Sequence, residues 1–558
     1  MNLVRIFITT ILLLSPLASF AEDFVIPTQT IQIPLAKPSI NAIKPAPKEA
    51  IIQENIVTPK PDKIEYYSDL ISKFDASIND VNIRSLILHN NNFFIDINDQ
   101  NENYSSEIKA FNENLDKFYQ ANVSVAYKNI NYLLDTGKYN DTYYMIMAYK
   151  LAQIGFYNLS SLAMDKIENK DIWKKYTDSI RKNYFPRTQF NSDDEIFMAN
   201  LYASINYNNL TQESITDIMR TKRSIRRSDY ANYLIATALY IEKDFQKSLT
   251  TINRAIAVNP ENIEYAVLKI KILSDMGKDK EALKLVKSFN SDNIVMPESI
   301  TQYESIKALL TSKTEKDALK SKYNLGYYYY LNNENAKALK ELTLVSLKNK
   351  IPEANTIIGD IYFSEKKYEK ARDSYQKNTK IFKRYAPSYV GLGNLAVINK
   401  DYKNAQQYYS KANKYSKTKE NTLLNLAVIE LVNKNINASR DLCSRSLNAK
   451  NDYYGAYYLM AKLRPEKKVY NLKKSATSNP FYINTWLDLA DYAILDRDYN
   501  LAQTYINSAR YLANKNSRYY YYVGLMSRIN NNEIDAEKNF AKAITLNNND
   551  NATAIEEF

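Results

Sequence analysis

The chain has 558 residues, more than one compact core usually holds, so its mass must be divided among several packing units. Its one cysteine excludes an intrachain disulfide, and a single histidine leaves no His/Cys cluster that could hold a metal ion. The formal net charge of +12 is a modest bias over this length. It is typical of a solvated surface, with attraction to anionic envelope polymers as the alternative.

Residues 1–21 have the parts of a secretory signal peptide. Arg5 supplies a positive charge, Ile6–Leu14 form an apolar run, and Ser19-Phe20-Ala21 has a small-x-small cleavage pattern. The apolar run is shorter than the roughly 20 residues of a spanning helix, and no later run is long enough. We therefore predict cleavage after Ala21, with an uncleaved anchor as the alternative, and no transmembrane span in the mature chain.

The abundance of Lys, Asn, Ile and Tyr favours an AT-rich bacterial genome, so the periplasm is the expected compartment. An exported protein of this kind is not expected to bind nucleic acid.

Two segments separate the signal from the body of the chain. Seven of the 15 prolines lie in residues 22–61, which predicts a disordered, extended linker with about 3.1 Å of reach per residue. Residues 62–120 are mostly helical in pattern but poorly defined, with an Asn-rich loop. We make no finer prediction for them.

Helical spacing returns at residues 121–228, in a degenerate form of the repeat described below. The first clear repeat pair covers 229–296. Residues 297–318 break the period, and Pro297 is expected to begin an extra helix at a junction between two arrays.

One pattern is written twice in residues 352–418, with its second copy about 34 residues after the first. The matched positions are Gly359 and Gly393, Tyr368 and Tyr402, Ala371 and Ala405, and Tyr375 and Tyr409. A fixed period of this size predicts a solenoid of stacked helix pairs, in which each repeat packs only on its neighbours. Small residues are needed where two helices cross at about 8–10 Å, so we expect Gly359 to face Ala371.

This pattern resembles the tetratricopeptide repeat (TPR) family, whose signature is W-x2-L-G-x2-Y, A-x3-F and P. The resemblance implies an all-α fold, a TPR-type α-solenoid that presents a concave groove to ligands. The second array is predicted over 319–550, followed by a tail at 551–558.

The sequence contains no recognisable catalytic or cofactor motif. Seven of the nine glycines occupy repeat positions or turns, and the two that remain, Gly391 and Gly455, form no phosphate-binding loop. His89 has no second histidine, and Cys443 falls on a helix-packing position. We therefore predict a protein that is not an enzyme and has no cofactor, with a hydrolase hidden in 62–228 as a third functional hypothesis.

The family's groove positions can be projected onto these repeats. They fall on aromatic and polar side chains, namely Tyr230, Tyr233, Tyr240, Tyr323, Tyr327, Tyr330, Asp360, Phe363, Asn394, Asn425, Asp491, Tyr521 and Arg528. Such side chains bury apolar peptide groups or stack on sugars. The 48 tyrosines of the chain make codon bias the alternative explanation.

The carboxylate clamp of chaperone-binding TPR domains is matched only in part. Asn394 and Asn425 match its two asparagines, whereas Val390, Gly455 and Leu459 stand at its three cationic positions. Recognition of a peptide carboxylate is therefore unsupported.

The leading hypothesis is a periplasmic TPR scaffold that binds a protein partner in cell-envelope assembly, such as pilus, secretion, outer-membrane or peptidoglycan machinery. The alternative is a glycan-binding or polysaccharide-export TPR module.

Overall fold

The computed structural model describes residues 106–120, 122–208, 210–288, 297–510, 512 and 516–552. These residues form 27 α-helices and one 3₁₀ helix, and no β-strand occurs among them. The predicted signal peptide, the linker, His89 and most of residues 62–120 lie outside the described residues.

The first half of the described chain contains 13 helices. They are α1 (Ser106–Tyr119), α2 (Val123–Thr136), α3 (Asp141–Gln153), α4 (Tyr157–Asp165), α5 (Lys170–Tyr184), α6 (Ser192–Asn208), α7 (Thr211–Arg220), α8 (Arg223–Arg226), α9 (Asp229–Ile241), α10 (Phe245–Val258), α11 (Ile263–Asp275), α12 (Asp279–Ser288) and α13 (Pro297–Thr314).

The second half contains 14 more. They are α14 (Ala318–Leu331), α15 (Asn335–Ser346), α16 (Pro352–Ser364), α17 (Tyr368–Ile381), α18 (Ala386–Ile398), α19 (Tyr402–Tyr415), α20 (Glu420–Val432), α21 (Ile436–Ala449), α22 (Tyr454–Leu463), α23 (Lys468–Ser478), α24 (Ile483–Leu495), α25 (Tyr499–Arg510), α26 (Ser517–Ile529) and α27 (Glu533–Ala552). The 3₁₀ helix Pro465–Lys467 shortens the loop between α22 and α23.

Successive helices pack in pairs from α9 to α27, and each pair stacks on the next. The prediction of an all-α solenoid is confirmed for the part of the chain that the structure describes. Side-chain caps begin several of the helices, since Ser228, Asn262 and Asp317 accept hydrogen bonds from backbone N–H groups of α9, α11 and α14 at 2.8–3.0 Å.

The glycine at the eighth position of a repeat makes room for a large ring on the second helix of that repeat. A Cβ added to Gly359 would lie 2.4 Å from the ring of Tyr375, and one added to Gly393 would lie 2.4 Å from the ring of Tyr409. The contact expected between Gly359 and Ala371 stays a prediction. The ring of Tyr375 needs the space because it lies between Gly359 and Gly391, on two successive repeats.

The turn between the two helices of a repeat has a left-handed residue at the same position each time. Its φ is between 56° and 85° in nine repeats, at Gly155, Lys243, Gly277, Asn333, Lys366, Lys400, Lys434, Arg497 and Asn531. Only two of the nine are glycine, although this conformation costs a residue with a Cβ roughly 1–2 kcal/mol.

Replacing Gly277 with alanine should lower the free energy of unfolding by about 1 kcal/mol, through backbone strain alone. No atom lies within 4 Å of the position that the new Cβ would occupy, so no steric contact confuses the result. Denaturant unfolding followed by circular dichroism measures the change. The matched control is Lys434→Ala, which keeps a Cβ at a left-handed position (φ 65°) and should leave the midpoint unchanged. Equal midpoints for Gly277→Ala and wild type would contradict the prediction.

Helices near the start of the described chain pack against the last repeats. The Thr142 hydroxyl on α3 donates to the Ser508 carbonyl at 3.1 Å, across 366 residues. Trp173 and Tyr176 on α5 meet Phe481, with ring centroids 5.5 and 5.3 Å apart. We call these five residues the closure contact.

Helix α5 also touches the first clear repeats and the junction helix α13. Asn262 donates to the Tyr184 carbonyl at 2.9 Å, and the hydroxyls of Tyr184 and Ser299 are 2.8 Å apart. One apolar cluster therefore includes both residues 111–272 and residues 396–543. The expectation that each repeat packs only on its neighbours is wrong here, because the array bends far enough for its two ends to share a core.

Candidate functional site

Three predicted groove tyrosines form a continuous aromatic row on α14. Tyr323, Tyr327 and Tyr330 lie at helical spacing on one face, and each is half-buried. The first two rings are parallel to within 1° with centroids 6.2 Å apart, and the next pair is 6.3 Å apart at 24°. They pack on the apolar cluster that α15 and α16 share.

Helix α16 places two carboxylates beside this row. Glu353 and Asp360 are seven residues apart, so two helical turns bring them to the same face of α16. Burial, and secondarily Glu353, raises the pKa of Tyr323, and burial with Asp360 does the same for Tyr330. The two carboxylates are therefore close enough to interact electrostatically with the row.

Tyr385, just before α18, completes the same surface. Its pKa is raised by burial and then by Glu353, Tyr323 and Asp360, which places it near all three groups. The tyrosine surface is defined by six half-buried residues, namely Tyr323, Tyr327, Tyr330, Glu353, Asp360 and Tyr385. Sequence reasoning did not select Glu353, the second residue of its repeat, or Tyr385, which lies at the end of the same repeat and outside the projected groove positions.

Asp360 is held in place by the second helix of its own repeat. The Tyr375 hydroxyl, reaching between Gly359 and Gly391, donates to Asp360 Oδ1 at 2.6 Å. Burial raises the pKa of Asp360 to about 6, and the hydrogen bond from Tyr375 opposes that rise. The carboxylate is thus oriented before any partner arrives.

The next repeat builds the same arrangement without the charge. Tyr409 packs on Gly393 and donates to Asn394 Oδ1 at 2.8 Å. The half-buried ring of Phe363 lies 5.7 Å from that of Tyr368. The position that carries a carboxylate at Asp360 is therefore neutral in the next repeat.

Four projected groove residues are buried in this structure. Tyr230 and Tyr233 are 2% and 9% exposed, because helices from the start of the described chain cover them; the ring of Tyr157 lies 5.5 Å from that of Tyr230. Asn425 and Tyr521 are 1% and 8% exposed. These four lie away from the tyrosine surface, and a role for them in binding stays a prediction.

The remaining projected residues already have partners within the chain. The Tyr240 hydroxyl donates to Asp275 at 2.6 Å, Lys468 lies 3.2 Å from Asp491, and Arg528 lies 3.0 Å from Glu533. The structure does not bring them to the tyrosine surface.

A buried ionic cluster, which sequence reasoning missed, lies within the last repeats. Asp488 on α24 accepts a hydrogen bond from Arg518 on α26, and Lys462 on α22 lies 3.1 Å away. Burial alone would raise the pKa of Asp488, but the charges of Arg518 and Lys462 hold it well below the usual range. The cluster ties three successive repeats together.

Cys443 is a packing residue, as its repeat position predicts. It is fully buried, its thiol donates to the Ala456 carbonyl at 3.0 Å, and burial raises its pKa to about 12. Among the described residues, no group of three or more His, Cys, Asp or Glu side chains is placed to hold a metal ion. No helix within the same ranges is both long and apolar enough to cross a membrane.

Comparison with known proteins agrees with the fold. The tetratricopeptide repeat family model matches residues 352–383 and 386–419, the segment in which the pattern is written twice. This match shows tetratricopeptide repeats in that segment, and the resemblance seen in the sequence is confirmed.

Three solved structures are similar to this chain at low identity. The APC/C hetero-tetramer Cut9-Hcn1 has 13% identity and a TM-score of 0.35, over 79% of this chain and 94% of that chain. Pseudomonas aeruginosa pilF has 15% identity and a TM-score of 0.26, over 40% and 89%. MamA has 17% identity and a TM-score of 0.23, over 29% and 91%. A comparison with curated protein sequences found no match.

Proposed function

We propose that the protein is a non-catalytic scaffold that binds a protein partner through the tyrosine surface. The observation that carries the proposal is the row of Tyr323, Tyr327 and Tyr330. Their rings are stacked on one another and remain half-exposed instead of being fully buried. Tyrosine is enriched at the centres of protein interfaces because it offers a large apolar ring and a polar hydroxyl at a small cost in side-chain entropy.

The proposed setting is the bacterial periplasm, in the assembly of the cell envelope. The signal-like pattern of residues 1–21 supports export. Fractionation of the native host tests the setting separately, and recovery of the protein in the cytosol would overturn it.

Replacing Tyr323, Tyr327 and Tyr330 together with alanine should reduce partner recovery at least tenfold, since tyrosine is enriched among the interface residues whose truncation costs about 2 kcal/mol or more. Cross-linking in intact cells, followed by identification of the co-purified material, measures the loss. Circular dichroism checks that the variant keeps its helices.

Three exposed tyrosines elsewhere in the chain provide a control variant with the same three tyrosine-to-alanine substitutions. Tyr132 and Tyr470 are 66% and 59% exposed, and Tyr492 is 40% exposed, away from the tyrosine surface. Their triple alanine variant should retain its partner. Unchanged recovery with the α14 variant would overturn the proposal, and recovery of a polysaccharide in place of a protein would favour the glycan alternative.

A further inference from the structure

We propose that the segment bound by the tyrosine surface is a basic, extended peptide stretch of the partner, with Lys or Arg at positions i and i+3. This inference rests on the proposed function and names the chemistry of its partner. Three features of the surface support it: its carboxylates, the tyrosine rings that no cation of the described chain covers, and the spacing between its two charges.

The carboxylates of the tyrosine surface are not neutralised by the described part of the chain. There, Asp360 accepts only the Tyr375 hydroxyl, and Glu353 forms no ion pair. The chain has 74 Lys and Arg residues against 62 Asp and Glu, so two uncompensated carboxylates on one face run against its overall charge. A cationic partner would restore the balance, and an acidic partner would be repelled.

In the same repeats, some tyrosine rings have a lysine over one face, whereas others are open, with no cation over them in the described part of the chain. Tyr329 has Lys337 over its ring at 5.4 Å, and Tyr362 has Lys370 at 5.7 Å. Within the described ranges, no cation lies over the four tyrosine rings of the tyrosine surface. Aromatic faces attract Lys and Arg by cation–π interaction, so the open rings and the carboxylates favour the same ligand.

The spacing of the charges suggests the form of the ligand. Seven residues along α16 correspond to about 10 Å. Three residues of an extended polyproline II segment make one full turn and rise about 9 Å, so side chains at positions i and i+3 point to the same side. Basic side chains at those positions can therefore reach both Glu353 and Asp360.

This chemistry is opposite to that of a carboxylate clamp. The chain lacks the clamp's cations at Val390, Gly455 and Leu459, and instead has anions one repeat earlier along the array. The partner's basic side chains, rather than its terminal carboxylate, would be the recognised groups.

A direct test uses the chain from Glu22 onward and two short fluorescent peptides of otherwise equal sequence. One peptide has Lys at i and i+3, and the other has Glu at both positions. Fluorescence anisotropy should show binding of the Lys peptide at least tenfold tighter than binding of the Glu peptide. Raising the salt concentration several-fold should weaken binding of the Lys peptide more than binding of the Glu peptide, because salt screens the attraction between opposite charges. Equal affinities for the two peptides would overturn the proposal.

The protein variants test the same point from the other side. The double variant Glu353→Gln with Asp360→Asn removes both charges and keeps a side-chain oxygen that can accept the hydrogen bond from Tyr375. It should weaken binding of the Lys peptide about tenfold or more, the equivalent of about 1.4 kcal/mol. The control pair Glu369→Gln with Asp373→Asn removes two charges from α17, away from the tyrosine surface, and should bind as wild type. Equal loss in both pairs would mean that only net charge matters, which would overturn the proposal.

The two proposals can fail separately. If the tyrosine triple variant loses the cellular partner while the Glu353/Asp360 variant keeps it, the surface binds a protein but not a basic one. If the triple variant also keeps the partner, the proposed function itself fails. Concentration-dependent self-association abolished by the Glu353/Asp360 variant would assign the surface to a second copy of this chain and overturn the proposal of a separate partner.

Discussion

Replacing Asp488 with alanine should destabilise the last repeats by about 3–5 kcal/mol, the cost of leaving a buried charge without its partner. Arg518 is 7% exposed, and its Nε and Nη1 atoms have no hydrogen-bond acceptor among the described residues, so Asp488 is its main source of compensation. Denaturant unfolding, with hydrogen exchange to locate the loss, should show the largest change in α22–α26.

The controls separate burial from charge. Asp178 is 57% exposed and forms an ion pair with Lys174. Replacing Asp178 with alanine should change the free energy of unfolding by less than about 0.5 kcal/mol. Asp488→Leu combined with Arg518→Met replaces the pair by apolar groups and should recover much of the loss. A single Asp488→Ala variant as stable as wild type would contradict the prediction.

The pH dependence of this cluster has a definite sign. The folded pKa of Asp488 lies below its unfolded value of about 3.9, so its stabilisation is complete above that value and is lost as the pH falls through the folded pKa. Acid unfolding should therefore begin at a higher pH in Asp488→Asn than in wild type.

Replacing Trp173 with alanine should cost about 3–5 kcal/mol and should act at both ends of the array. Trp173 is fully buried, and Phe481, which it meets, is 1% exposed and lies between α23 and α24, in the last repeats. Hydrogen exchange should rise in α3–α5, as for any core truncation, and also in α23–α25, which only the closure contact would explain.

A double-mutant cycle with Phe481→Ala measures the contact itself. Aromatic pairs of this kind contribute about 0.5–1.5 kcal/mol of coupling beyond their burial. Tyr409 is the matched control, since it is also fully buried but packs on Gly393 in a middle repeat. Trp173 and Tyr409 should show no coupling. Exchange that increases only in α3–α5 would contradict the closure contact.

The sequence predicted the repeat contacts well where their two members lie a fixed distance apart. Ser160, Ser248 and Ser439 each donate at 2.7 Å to a carbonyl twelve residues earlier, on Ala148, Ala236 and Ala427. This recurring bond joins the second helix of a repeat to the first. It shows why small residues such as serine, alanine and glycine stand at these positions, because the two helices pack too closely there for larger groups. A fixed repeat period records such contacts directly.

The candidate site was predictable only in part. Tyr323, Tyr327, Tyr330 and Asp360 follow from the helical phase of their repeats, and the structure brings them together. Glu353 shares the helical phase of Asp360 on α16, but Tyr385 does not follow from phase, since its place on the surface depends on how the start of α18 is tilted against α14 and α16. Tyr230 and Tyr233 have the right phase but are covered by helices from outside their array.

The sequence by itself determined the helix pairs, their period and the residues at which each pair crosses, because these contacts join residues of the same or adjacent repeats. Only the tertiary structure decided that the array bends until Thr142 meets Ser508, that Trp173 packs on Phe481, and that one aromatic face stays open beside two carboxylates. The physical reason is that the path of a solenoid is the sum of small rotations between repeats. No local pattern records that sum, so contacts between its ends leave no signal in the period.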